Sequence, residues 1–249
     1  MDSSDFLGAK YLYRFRGNKT YFIDELRNAA LYFPSKSQLN DPFDCYTKIL
    51  RFDNSSEIIR KKAFAEIRKR MPNQTRQQIR SILRDMSSNE LIQTVKDRFE
   101  TLMQNSGIGS FSITPANLML WSHYANWHQC VCLGFNIEND EDFFNQREVV
   151  RYVDEISQFD YSGSSRDFVR VATTKSNMWR DEREVRILKP KYGSHSFKKK
   201  ALIRVIFGLK CEDSTIRECM KICKNEYDDL KLYVCEPSEN EFGIDLYSL

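Results

Sequence analysis

The chain has 249 residues, of which 41% are hydrophobic, 29% charged and 13% aromatic, with nine Gly and six Pro. That balance excludes fibrous, collagen-like and broadly disordered classes and supplies enough apolar material for a sizeable core. A formal charge of +3 excludes a strongly basic protein unless the charge is concentrated somewhere.

No uncharged apolar run approaches the roughly 20 residues that a bilayer span needs, and the opening residues lack a positive stretch followed by an apolar one. Seven cysteines form an odd, scattered set, which favours reduced thiols over a disulfide framework. A soluble cytoplasmic protein with no membrane partner is the expectation.

In chain order, Tyr11 to Arg16 predicts a strand, and Asn18 to Ala30 a helix, because Phe22, Ile23 and Leu26 recur at helical spacing. Ala30 to Phe33 reads as a second strand stopped by Pro34. Ser37 to Asp44 reads as a turn fixed by Pro42, which sets Asn40, Asp41 and Asp44 beside the strand end. From 56 to 105 the composition changes, and helices are predicted at Glu57 to Met71, Thr75 to Met86 and Asn89 to Met103. Between Glu57 and Arg84 there are nine Lys or Arg against two Glu, a local net of +7 that leaves −4 for the rest of the chain.

Gly107 to Ile113 returns to a strand, Asn117 to Asn126 to a short helix, Gln129 to Phe135 to an apolar strand and Val149 to Val153 to another. Arg166 to Thr174 reads as a helix, Glu184 to Leu188 and Leu202 to Phe207 as strands, Ser214 to Asn225 as an amphipathic helix and Leu232 to Cys235 as the final strand. The order lacks the regular alternation of a doubly wound fold. The expectation is one α+β domain over 1–249, a compact mixed or antiparallel sheet with flanking helices, carrying a basic helical insertion at 56–105.

Several constellations bear on chemistry. His123, His128, Cys130 and Cys132 are all potential zinc ligands, but Cys130 and Cys132 alternate on an apolar strand and suit one buried face, so no metal is expected. Neither a dinucleotide glycine fingerprint nor a phosphate loop is present. In Trp179 to Arg186, Glu182 and Glu184 would share one side of a strand. Paired carboxylates there can orient a hydroxyl and stabilise an oxocarbenium-like charge, while the plainer reading is an edge of ordinary Glu/Arg pairs.

Arg14 offers a donor fork for phosphate or carboxylate, with a surface salt bridge as its alternative. Ser112, Asn40 and Asp41 offer directional hydrogen bonds, with turn capping as theirs. Trp121, His123 and Tyr124 add aromatic surface and a titratable group, or simply pack inward. Arg60, Lys61, Lys62, Arg68, Lys69 and Arg70 make either a solvated helical face or a phosphate-contacting surface for nucleic acid or another acidic partner.

The segments Tyr11-Leu-Tyr-Arg14, Leu31-Tyr-Phe-Pro-Ser35 with Leu39-Asn-Asp-Pro-Phe-Asp44, Ser110-Phe-Ser112, Asn117 to Ala125, Cys132-Leu-Gly-Phe135 and Trp179 to Arg186 together resemble the bacterial domain of unknown function 2971 family, from about residue 10 to 225. The resemblance implies an accessory or phage-defence-associated protein and brings no settled activity. An Arg on an early strand, a Ser-x-Ser strand and a later Glu-x-Glu are more weakly similar to arginine-type ADP-ribosyltransferases. That likeness implies NAD as a substrate, with Arg14 on its phosphate, Ser112 bracing the pocket, Glu182 orienting an acceptor and Glu184 stabilising the nicotinamide ribose. His123 would join the pocket without a carried-over role. An NAD-consuming transferase or glycohydrolase is therefore the first expectation, a non-enzymatic phosphate- or nucleic-acid-binding accessory protein the second, and a hydrolase of another substrate the third.

Overall fold

The structure, a computed structural model, describes residues 9–53 and 57–249; Ser56, the expected start of the insertion, lies outside the described residues. In chain order the elements begin with β1 (Tyr11–Arg16), α1 (Lys19–Asn28), β2 (Ala30–Phe33), β3 (Leu50–Arg51), α2 (Glu57–Arg70), α3 (Arg76–Asp85) and α4 (Ser88–Asn105). They continue with β4 (Gly107–Ser112), α5 (Leu118–Tyr124), β5 (Val131–Asn136), α6 (Glu141–Phe144), β6 (Arg147–Val149), β7 (Arg151–Val153), β8 (Phe159–Asp160), α7 (Ser165–Ala172) and β9 (Thr174–Ser176). The last are β10 (Glu184–Lys189), β11 (Gly193–Ser196), β12 (Leu202–Phe207), α8 (Asp213–Glu226), β13 (Lys231–Pro237) and β14 (Ile244–Ser248).

The described residues divide into two compact units, one of 9–34, 107–150 and 178–249 and the other of 35–53, 57–106 and 151–177. The first unit holds an eight-stranded sheet in the order β14-β13-β12-β5-β1-β4-β10-β6, antiparallel except for the parallel β12–β13 pair. The class is α+β with a mixed sheet, as expected. Alternation along the strands gives each face its own core. On one face Leu12, Phe111, Leu133, Val185 and Val205 pack with Phe22, Ile23 and Leu26 of α1 and Cys219, Ile222 and Cys223 of α8. On the other, Tyr13, Phe15, Cys132 and Ile206 pack with Leu120 and Trp121 of α5.

Local chemistry explains the ends of α1. The Asn18 side chain accepts from the Tyr21 N–H at its start, and Ala29, left-handed at φ 45°, returns its N–H to the Glu25 carbonyl at its end. In the second unit the three helices predicted for the insertion are present, and Ile59, Ala63 and Ile67 of α2, Ile79 and Leu83 of α3, and Leu91, Ile92 and Val95 of α4 form its core. Capping boxes open two of them, Thr75 with Gln78 and Ser87 with Glu90. That unit also contains the flanking segments 35–53 and 151–177, with two short strand pairs, β3–β8 and β7–β9.

Three sequence expectations are corrected. Leu232 to Cys235 lies within β13 but is not the final strand, because β14 pairs with β13 beyond it. Val149 to Val153 is two strands, since the Val150 N–H bonds the Glu184 carbonyl while the next N–H, of Arg151, bonds Thr173. Cys130 and Cys132 do not share a face: Cys130 precedes β5 and joins the α1–α8 core, whereas Cys132 joins the core beneath α5.

Candidate functional site

The candidate residues of the first unit cluster around β1, β4 and β10. Tyr13 pairs with Ser112 across β1 and β4, and Ser112 pairs with Glu184 across β4 and β10. Directly opposed residues in an antiparallel pair point to the same side, so Tyr13, Ser112 and Glu184 form one lateral row. Arg14, one residue along, faces the other way, among the aromatic residues of the opposite core. The sheet therefore brings Ser112 and Glu184 together and does not bring Arg14 to them.

Glu182 and Glu184 do not share a strand face either. Glu182 ends a 3₁₀ turn over Asn177–Glu182, and Arg183, held left-handed at φ 48°, reorients the backbone before β10 begins at Glu184. Both carboxylates are buried, each with its own partner. Glu184 receives Nε and Nη2 of Arg186 at 2.7 and 3.2 Å in a forked ion pair, and Arg186 is fully buried. Glu182 Oε1 accepts the Tyr124 hydroxyl at 2.8 Å.

That last bond joins two distant stretches of sequence. Asn117 caps α5 by accepting from Met119 and Leu120, and its amide also donates to the Asp181 carbonyl at 2.6 Å. His123, exposed on the last turn of α5, sets its ring edge-on to Trp179 at 6.2 Å. Trp121 faces inward, its indole N–H donating to Pro115 and its ring packed on Phe15. The Leu-Trp-Ser-His-Tyr and Trp-x-x-Glu-x-Glu-x-Arg motifs are thus one contiguous structure, and Arg186 and Trp179, which the sequence left without roles, belong to it.

Arg14 sits in a different setting. It is 5% exposed, its Nη2 donates to the Tyr32 carbonyl at 2.6 Å, and its guanidinium carbon lies 5.1 Å from the ring centres of both Phe33 and Phe111. Gly109 is what lets Phe33 approach, because a Cβ there would run into the Phe33 ring. Arg14 Nη1 is buried with no hydrogen-bond partner. Desolvation holds the Arg14 pKa well below its ordinary value, with Arg16 acting in the same direction and Glu25 against it. Glu25 itself is engaged by Arg16 and by the Tyr32 N–H.

The remaining candidates are in the second unit. Asn40 is exposed, and Asp41 is buried with Oδ1 accepting from the Phe43 N–H and Oδ2 unpartnered. Asp44 makes a buried ion pair with Lys175 at 3.9 Å, a pairing invisible in the sequence. Arg60, Lys61, Lys62, Arg68, Lys69 and Arg70 are all exposed on α2, and Arg70 pairs with Glu66 at 3.2 Å. Among the described residues no group of three or more His, Cys, Asp or Glu is arranged to hold a metal ion, and no helix is long and apolar enough to cross a membrane.

An α+β chain with a mixed sheet and a buried, motif-built polar cluster at β10 and α5 is the class these observations define. Within it, residues 120–187 match the family described as Protein of unknown function (DUF2971). The match bears out the family resemblance over the span that holds Tyr124, Glu182 and Glu184 and nearly all of the two joined motifs. No curated protein and no solved structure matches the chain.

Proposed function

We propose that the first unit binds a small phosphate-bearing ligand through Arg14. One observation carries the reading: a buried guanidinium whose Nη1 has no partner and whose described hydrogen bond goes to a neutral carbonyl. An uncompensated buried cation is costly, and a phosphate oxygen at Nη1 would supply both the missing charge and the missing acceptor. Guanidinium matches phosphate geometry, and the rings of Phe33 and Phe111 hold its plane in place.

The test is titration calorimetry with ADP and with inorganic pyrophosphate on the wild type and on Arg14→Met. Binding is expected to disappear in the variant, while its ligand-free stability equals or exceeds that of the wild type because a buried charge has been removed. Equal affinity in the two proteins would overturn the assignment.

A second reading makes the same unit an NAD-consuming transferase or glycohydrolase. It is favoured by the two buried carboxylates, Glu182 and Glu184, with Ser112 beside the latter in the sheet. Because Arg14 faces away from that row, Glu184 would need a phosphate-holding cation other than Arg14. Nicotinamide release from NAD by the wild type, lost in a folded Glu184→Gln variant, would support it, and its absence from the wild type would remove it.

A further inference from the structure

Independently of Arg14, we infer that the outward face of α2 is a docking surface for the backbone of duplex nucleic acid. Ile59, Ala63 and Ile67 turn inward to the helical core. At 3.6 residues per turn, Lys61, Lys62, Arg68 and Lys69 then fall on the arc facing away from it, and all four are exposed. They stand in two rows, Lys61 with Arg68 and Lys62 with Lys69, each pair seven residues and so about 10 Å apart along the axis. The Lys62 stem is braced against Gly163 of the same unit, where a Cβ would collide with it.

Among the described residues no ion pair neutralises this face: Glu57, one turn before Lys61 on the same helix, is exposed and makes none with it. Glu66 of α2 is taken by Arg70 and Arg98, and none of the four cations makes an ion pair with a described residue. Four like charges on two turns of helix repel one another, so a partner that brings closely spaced negative charge gains from all four at once.

Three features select duplex nucleic acid from among acidic partners. The apolar stripe of α2 is committed to the core, so the helix has no free apolar face to insert into a lipid surface. Lysine is depleted in protein–protein interfaces, and three of the four residues are lysines. The aromatic residues of the three helices, Phe64 and Phe99, are half-buried and buried, so these helices present no exposed aromatic ring on which unpaired bases could stack. Contacts of this kind position a phosphate backbone and carry no base specificity.

Fluorescence anisotropy with a random-sequence DNA duplex of about 20 base pairs tests the inference, with the full chain titrated across a salt series. Four phosphate contacts predict that log K falls with log salt at a slope of about −3.6, roughly 150-fold between 50 and 200 mM. The variant carrying Lys61→Gln, Lys62→Gln, Arg68→Gln and Lys69→Gln should lose nearly all of that dependence. A control carrying Lys221→Gln and Lys224→Gln, exposed on α8, should bind as the wild type does.

Should the fourfold variant lose helicity, the pairs Lys61→Gln/Lys62→Gln and Arg68→Gln/Lys69→Gln are measured separately, each expected to halve the slope. Wild-type affinity in the charge variants would overturn the surface. Equal binding to anionic phosphatidylserine vesicles or to polyglutamate would overturn nucleic acid as its partner, and tighter binding to a single strand would overturn the duplex. Because Arg14 is untouched in these variants, a failure here leaves the calorimetric test of Arg14 unaffected.

Discussion

Tyr124 donates its hydroxyl to Glu182 across 58 residues of chain, and this bond fastens the last turn of α5 to the approach to β10. Glu182 is buried, so removing the donor withdraws a hydrogen bond from a carboxylate that cannot turn to bulk water. Tyr124→Phe keeps the ring and removes the hydroxyl that makes this bond. It should lower stability by about 1 to 3 kcal/mol in urea unfolding. An unchanged unfolding midpoint would mean that the bond does not hold the two motifs together.

The Glu184–Arg186 pair answers a different question, whether Glu184 is retained for structure or for chemistry. Breaking a buried pair from one side deprives the other charge of this partner, so Glu184→Gln and Arg186→Met should each cost about 3 to 5 kcal/mol. Combining them should cost clearly less than the sum, because the loss of their mutual pairing is then counted once. Additive losses in chemical denaturation would show that each residue is held by its other neighbours rather than by its partner.

Much of the architecture was legible because it is written in local patterns. The three helices of the second unit announce themselves through apolar spacing, two of them also through capping boxes, and β1, β5, β10 and β12 through runs of strand-forming residues. The site was less legible, for physical reasons. Glu-Arg-Glu alternates as a strand does, and nothing in its side chains discloses that Arg183 takes a left-handed backbone. The opposition of Arg14 to Ser112 and Glu184 is a matter of register, and a shift of one residue would have reversed it. The contact of His123 with Trp179 and the pairing of Asp44 with Lys175 exist only once distant segments meet. By contrast, β14 could have been found, since Ile244 to Ser248 alternates an inward Ile244 with an exposed Asp245.

His128 gives the protein a specific acid sensitivity. Its ring stacks on Trp121, its Nδ1 is buried without a partner, and its Nε2 lies 3.3 Å from the Ser122 hydroxyl. Burial, with a smaller contribution from Lys210, lowers its pKa from 6.5, so the folded state favours neutral imidazole. The unfolded chain then binds more protons than the native one below pH 6.5. The contribution of this group is fully present above that value and is lost as pH falls toward the depressed native one. Stability measured by urea unfolding from pH 8 downward should decline through this window, and His128→Gln should flatten that part of the profile. An identical profile in the variant would assign the decline to other groups.

The seven thiols provide a further test, of the core itself. None is joined in a disulfide, and every one but the half-buried Cys211 is buried. Desolvation raises Cys211 and Cys235 to about 12 and Cys223 to about 11, and it pushes Cys130, Cys132 and Cys219 upward as well. A thiol with a pKa near 11 is ionised in only about one molecule in a thousand at pH 8, and the thiolate is the reactive species. Native protein at that pH should therefore react with a thiol-specific disulfide reagent only at the rate of local opening, with Cys211 first. All seven should react promptly after unfolding in guanidinium. A cysteine that reacts at once in the native state, located by peptide mapping, would show that its segment is not packed as described and would mark that thiol as chemically active.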